Sequence, residues 1–191
     1  MLKGNKIATI LPYKENYTFS KAQAAAIWVN DFYKYSKYKK NNFIFGNTDT
    51  KDYLTKNYIN VKLNKKSSKF SSTTTEYCDN FIKINKKYNF DIIEIHNRPL
   101  VFNYLKSKIN KKFILYFHND PKSMKGSKSV SERISLINNV DKIIFVSKWV
   151  RNRFFDGIDK KLFDKTDVIY PSIHKERKLL KKNKNIIFVG K

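Results

Sequence analysis

Two neighbouring stretches decide the fold: Asp91-Ile92-Ile93-Glu94-Ile95-His96-Asn97-Arg98-Pro99 and Lys112-Phe113-Ile114-Leu115-Tyr116-Phe117-His118-Asn119-Asp120-Pro121. Each is a short apolar run that ends abruptly in polar residues and a proline. A run of this length, rich in β-branched and aromatic residues, reads as a strand buried on both faces. Between them, residues 99–109 carry helical spacing, with Pro99 suited to a first turn. A strand, a helix and a second strand in that order form a right-handed parallel unit.

The same alternation extends in both directions. Ile7 to Leu11, Asn42 to Gly46, Ile59 to Leu63, Lys142 to Val146 and Asp167 to Tyr170 read as further strands. Helices are expected over 20–38, through Phe81, Ile84 and Tyr88, over 129–140 and over 147–155. Three helix starts carry a capping-box pattern: Ser20…Gln23, Thr73…Glu76 and Ser129…Glu132. The expectation is an α/β fold: a Rossmann-like, doubly wound parallel sheet with helices on both faces.

The 191 residues suit one compact domain with little room for another. Hydrophobic residues make up 41% of the chain, enough for a core. Only 5 Gly and 4 Pro argue against a turn-rich all-β fold. Residues 1–173 are expected to form the domain. The almost wholly polar and charged stretch 174–185 reads as a linker. The apolar 186–191 then reads as the first strand of a further domain, or as a last strand pairing back into the one sheet.

The formal net charge is +24, nearly all of it from Lys. A basic chain can meet nucleic acid, an anionic membrane or phosphorylated substrates. The Lys pairs are spread along the chain, and Asn, Ile, Tyr and Phe are abundant too, as A/T-rich coding would favour. Arg, the usual residue for bidentate phosphate and base contacts, is rare. One cysteine, Cys78, excludes an intrachain disulfide and fits a reducing cytoplasm. No stretch approaches the length of a membrane-spanning helix, so any membrane contact is expected to be peripheral.

In open α/β sheets ligands bind beyond the carboxyl ends of the strands. Three such ends carry candidates. The loop after the first strand leads to Ser20, Lys21 and Ala22, where a helix N-terminus would favour a phosphate. It has no glycine, hence neither a dinucleotide fingerprint nor a Walker motif. Glu94 and His96 share one face of their strand, with Asn97 and Arg98 at its end. His118, followed by Asn119 and Asp120, closes the strongest strand, and a histidine there could serve in proton transfer. Ordinary structural roles compete at each end: a capped helix, a capped loop, a satisfied strand-end histidine. No metal-ligand spacing and no Gly-x-Ser-x-Gly elbow is present.

Taken in order, four segments resemble the N-terminal domain of GT-B glycosyltransferases, in particular the large retaining family 4 group: residues 8–12, 91–99, 114–121 and 140–149. Asp167-Val168-Ile169-Tyr170-Pro171-Ser172 resembles that family's exit from its first domain, and Ile187-Phe188-Val189-Gly190-Lys191 the first strand of its second. The resemblance implies a nucleotide-sugar donor held mainly by a C-terminal domain and a glycan or lipid-linked acceptor held by this one. It implies chemistry in the cleft between them and no metal or other cofactor. His118 takes the position of a histidine that lies by the transferred sugar. Ser147, in the matching 140–149 segment, joins the cleft candidates. The loop at Ser20-Lys21-Ala22-Gln23 departs from the Gly-Gly of many relatives. The family's paired Glu and phosphate-binding Arg and Lys would lie in the second domain, so negligible transfer is expected from this chain alone. The basic surface would dock at the inner face of an anionic membrane. The competing readings are a basic nucleic-acid-binding protein and a non-catalytic nucleotide-binding module; no specific nucleic-acid partner is expected.

Overall fold

A computed structural model describes residues 4–63 and 72–171. The expected linker at 174–185, the strand at 186–191 and most of the Lys/Ser/Thr-rich run at 65–75 lie outside them.

The described residues form one sheet of seven parallel strands: β1 (Ile7–Ile10), β2 (Asn42–Gly46), β3 (Tyr58–Asn60), β4 (Ile92–His96), β5 (Lys112–Phe117), β6 (Lys142–Phe145) and β7 (Thr166–Val168). Their spatial order is β3-β2-β1-β4-β5-β6-β7. The chain winds outward from β1 to β3 and returns to place β4 on the other side of β1. The topological switch therefore falls between β1 and β4, where Thr9 is in register with Glu94.

The helices are α1 (Ala24–Tyr35), α2 (Thr73–Tyr88), α3 (Pro99–Lys108), α4 (Val130–Asn139) and α5 (Lys148–Phe154). They divide unevenly between the faces. One face presents Ala8, Ile10, Phe45, Ile93, Ile95, Phe113, Leu115, Phe117 and Phe145, and packs against apolar residues of α2, α3, α4 and α5 such as Phe81, Phe102, Leu136 and Phe154. Full burial of a large apolar side chain contributes about 1.5–3 kcal/mol, so this face holds most of the core. The other face presents Ile44, Tyr116 and Ile144 to α1, through Ala26, Trp28 and Val29. Polar Thr9, Glu94 and His96 alternate into that second face.

Three helix starts show how local chemistry fixes boundaries. Ser129 Oγ accepts from the Glu132 N–H, and the Glu132 carboxylate accepts from the Ser129 N–H, so the expected capping box forms. At α2 the cap is Ser72, which accepts from Thr75 N, one residue before the expected Thr73. At α1 the expected Ser20 start is replaced by Ala24. Residues 18–22 close a turn instead, with Ala22 N on Thr18 O and Ser20 Oγ on Asp52. The N–H groups of α1 are met from a distance in sequence: the buried Glu15 carboxylate accepts from Ala26 N at 3.0 Å and also from Ala25 N.

Arg133, on α4, is 1% exposed. Its guanidinium donates to the carbonyls of Phe154, Lys128 and Asp156, each at 2.6 Å, and so joins α4 to the C-terminal end of α5. Arg133→Leu would leave these buried carbonyls without donors, each loss costing about 1–3 kcal/mol. We expect it to lower stability by roughly 3 kcal/mol or more, read as a fall in the urea midpoint. Arg133→Lys, which reaches fewer carbonyls, should fall between the two.

Candidate functional site

The polar residues gather at the carboxyl end of the sheet, around the switch point. At the end of β4, Asn97 adopts a left-handed conformation with φ of 53°. That geometry turns its backbone N–H onto Tyr116 O at 2.8 Å and its side-chain oxygen onto the N–H of His118 at 2.7 Å. Asn97 thus ties the end of β4 to the end of β5. The residue that starts α3 is Arg98, which makes no side-chain cap. Its guanidinium instead bonds the Asn97 carbonyl and lies 5.7 Å from the centre of the Tyr13 ring.

His96 and His118, separate candidates in the sequence, meet: His96 Nδ1 and His118 Nε2 are 2.8 Å apart. At that distance one ring nitrogen carries a proton and the other accepts it, so the two rings cannot both be imidazolium. Burial lowers the His118 pKa to about 4. Burial, and then the neighbouring His118, push His96 well below the usual imidazole value. Aromatic contacts fix both rings. Tyr116 stacks on His96 with centroids 4.4 Å apart, and Trp28 meets His118 edge-on at 5.2 Å.

Behind the pair, Glu94 accepts from Thr9 Oγ1 at 2.7 Å and from the Tyr116 hydroxyl at 3.2 Å. Burial raises its carboxyl pKa, against the two hydrogen bonds. The Glu15 carboxyl is likewise raised by burial, against its bonds to the α1 backbone and the Arg98 charge.

The remaining candidates sit further out. Asp120 bonds Arg153 through Nε at 3.1 Å and through the adjacent guanidinium nitrogen at 2.8 Å, and caps the 3-10 turn at Pro121–Ser123. The Arg153 guanidinium holds its carboxyl below the ordinary value. Ser147 caps α5, accepting from Val150 N at 3.2 Å. Asn119, Ser20 and Lys21 are exposed, and Ala22 is half-buried. Ser20, Lys21 and Ala22 do not join the histidine cluster, because α1 begins beyond them and its first N–H groups face Glu15. Cys78 is buried in α2, where burial raises its thiol to about 12. Among the described residues no group of three His, Cys, Asp or Glu is placed to hold a metal ion, and no helix is long and apolar enough to cross a membrane.

Two cavities open at the carboxyl end of the sheet. One, of about 790 Å³, lies where the start of α2 approaches the start of α3; its walls include Tyr13, Thr75, Asn97, Arg98, Tyr104 and Lys125. The other, of about 410 Å³, is largely apolar and runs from α1 to His118, Asn119 and Val146.

An all-parallel order with a polar cluster at its switch point defines a Rossmann-like domain of the kind that forms half of a GT-B enzyme. Residues 44–177 match the model of Glycosyltransferase Family 4, and the chain belongs to that family. A search of curated proteins finds no significant sequence match. Among solved structures, sucrose-phosphate synthase from Thermosynechococcus elongatus is similar with a TM-score of 0.61 at 12% identity, over 86% of this chain and 48% of that one. A glycosyltransferase from Rickettsia africae is similar with a TM-score of 0.57 at 22% identity, over 87% of this chain and 43% of that one. The Anabaena protein HepE, in complex with UDP-glucose, is similar with a TM-score of 0.56 at 13% identity, over 87% of this chain and 44% of that one. The chain thus spans about half the length of these solved relatives.

The lowered pKa values of the histidines set a pH dependence. A histidine whose pKa is lowered by folding binds its proton more weakly in the native state than in the unfolded chain. Its contribution is fully present above the unfolded value near 6.5 and is lost as pH falls toward about 4. Glu15 and Glu94, both raised, act in the opposite direction. Comparison with His118→Gln isolates the histidine. Denaturant unfolding between pH 7 and pH 4 should show the wild type losing on the order of 2 kcal/mol more than the variant.

Proposed function

We propose that this chain supplies the acceptor-side half of a glycosyltransferase that moves a sugar from a nucleotide-sugar donor to a glycan or lipid-linked acceptor. The observation that carries this reading is His118, held by Asn97 and His96 at the strand ends on the wall of an apolar cavity, while Asn97 and Arg98 next to it in the site wall a second, larger cavity. The 790 Å³ cavity combines the hydroxyl of Thr75, the rings of Tyr13 and Tyr104 and the cations Arg98 and Lys125. Ring faces and hydrogen-bonding groups of this kind suit a sugar; the cations suit a phosphate or carboxylate on the acceptor.

In this reading His118 stands beside the transferred sugar. Its neutral imidazole can bond a sugar hydroxyl without placing a positive charge next to an oxocarbenium-like centre. The developing negative charge of the nucleotide diphosphate needs fixed positive partners. They are not assigned to Ser20, Lys21 and Ala22, because the nearest helix dipole is already satisfied by Glu15. We assign them to groups beyond the described residues, in keeping with about half a cleft being present. Retention of configuration, chemistry without a metal, a cytoplasmic setting and peripheral docking on an anionic membrane by the Lys-rich surface belong to the same reading.

The test uses the 191-residue chain. Titration with glycan and lipid-linked acceptor analogues, followed by amide chemical shifts, should perturb Tyr13, Asn97, Arg98 and Tyr104. Arg98→Ala should weaken binding of an anionic acceptor about tenfold or more. Transfer from nucleotide-sugars by this chain alone should be negligible. Turnover at ordinary enzymatic rates of about 1 s⁻¹ or more would overturn the assignment of half a cleft. Acceptor shifts confined to another face would overturn the site.

A further inference from the structure

A third cavity, of about 130 Å³, lies beneath α1 on the polar face of the sheet, between Thr9, Glu94, His96 and Trp28. At its other end it is lined by Ser36 and the exposed Tyr38. Two buried nitrogens at this level, His96 Nε2 and Trp28 Nε1, have no hydrogen-bond partner among the described residues. His96 is 1% exposed and Trp28 8%. Buried polar groups are rarely left unpaired, and each such loss costs about 1–3 kcal/mol. The wall carries the polar side chains of Thr9, Asn42, Glu94 and His96 among apolar ones, and water occupies about 30 Å³ per molecule in the liquid. There is room for more than one, with an indole N–H, an imidazole nitrogen and a carboxylate to bond it.

We propose that Glu94 and His96 are positioning residues that set the tautomer of His118 through this cavity. Water bridges the Glu94 carboxylate to His96 Nε2. The negative carboxylate, which already accepts from Thr9 and Tyr116, favours the form of His96 that points its N–H toward it. With the proton on Nε2, His96 Nδ1 is an acceptor. His118 must then donate from Nε2 across the 2.8 Å contact. The proton of neutral His118 is thereby fixed on Nε2, and Nδ1 is left with a lone pair. His118 lines the 410 Å³ cavity at the carboxyl end of the sheet. It is presented there as a hydrogen-bond acceptor, suited to a substrate hydroxyl and unable to donate to one. No proton leaves the chain in the resting state; the relay fixes where the protons already present reside.

Only what His118 faces rests on the glycosyltransferase reading. The tautomer itself can be measured whether or not a sugar is transferred. The experiment is long-range ¹H–¹⁵N correlation of the imidazole rings in the uniformly labelled 191-residue chain, at a pH above the ordinary histidine range. In the wild type, His118 and His96 should both show a protonated Nε2 and an unprotonated Nδ1. Glu94→Gln, which keeps the shape and removes the charge, should shift the His118 tautomer ratio at least severalfold toward Nδ1–H while the amide spectrum stays folded. A proton on Nδ1 of His118 in the wild type overturns the proposal, as does a ratio unmoved in Glu94→Gln. Should that variant not fold, Tyr116→Phe, which keeps the carboxylate's charge and frees one of its acceptor sites, should leave His118 protonated on Nε2; a shift toward Nδ1–H there overturns the proposal. The wild-type tautomer decides the first half in any case.

Discussion

Two imidazoles in hydrogen-bonding contact cannot both be protonated, and this constraint organises the carboxyl end of the sheet. Burial favours the neutral form of both rings, and so keeps the contact between His96 and His118 from meeting two charges. Trp28 and Tyr116 provide that burial, one from α1 and one from β5. Asn97 then fixes the geometry by accepting the His118 N–H while holding its own backbone to Tyr116. Its left-handed conformation is the local strain that accompanies this arrangement; Asn tolerates it better than most residues because its short side chain finds a partner at once.

Much of the fold is visible in the sequence because parallel strands buried on both faces are written as unbroken apolar runs. All seven strands fall where such runs predict them, five with edges moved by at most a residue, while β3 and β7 are trimmed to three residues each. These are the edge strands, where only one neighbour supplies hydrogen bonds and the sheet ends earlier than the apolar pattern. The Ser129 cap is equally visible, since its partner is three residues away. The start of α1 is not. Its N–H groups are met by Glu15, whose carboxylate returns across a loop that Tyr17 and Thr18 anchor on the 52–54 segment. A cap delivered over eleven positions leaves no periodic trace.

The site was legible as a set of residues and not as a set of contacts. His96, Asn97, Arg98 and His118 stand out because each ends or follows a strand. That His96 faces His118, and not another partner, depends on the register of β4 on β5, which pairs His96 with Tyr116 and places His118 next on the same face. Register is a property of two strands together and cannot be read from either. The same holds for Asp120 with Arg153, joined across 33 positions, and for Arg133. In sequence Arg133 is one more polar residue on an amphipathic helix. Its burial follows from how α4 approaches the last turn of α5, whose carbonyls would otherwise be left without donors.

The uneven helix distribution explains why the polar groups lie where they do. Four helices cover one face of the sheet and make it a continuous apolar core, in which a carboxylate or an unpaired imidazole nitrogen could not be hydrated. On the other face α1 stands nearly alone and leaves a cavity beneath it. Thr9, Glu94, His96 and Tyr116 alternate onto this face by the period of the strand, opposite Ala8, Ile93, Ile95 and Leu115. A polar group can be held there under a tryptophan and still be reached by water from below. The sheet thus separates two tasks by parity alone. Alternate positions of the same strands carry the stability of the domain and the chemistry at its edge, so a one-residue slip in β4 would exchange them and lose both.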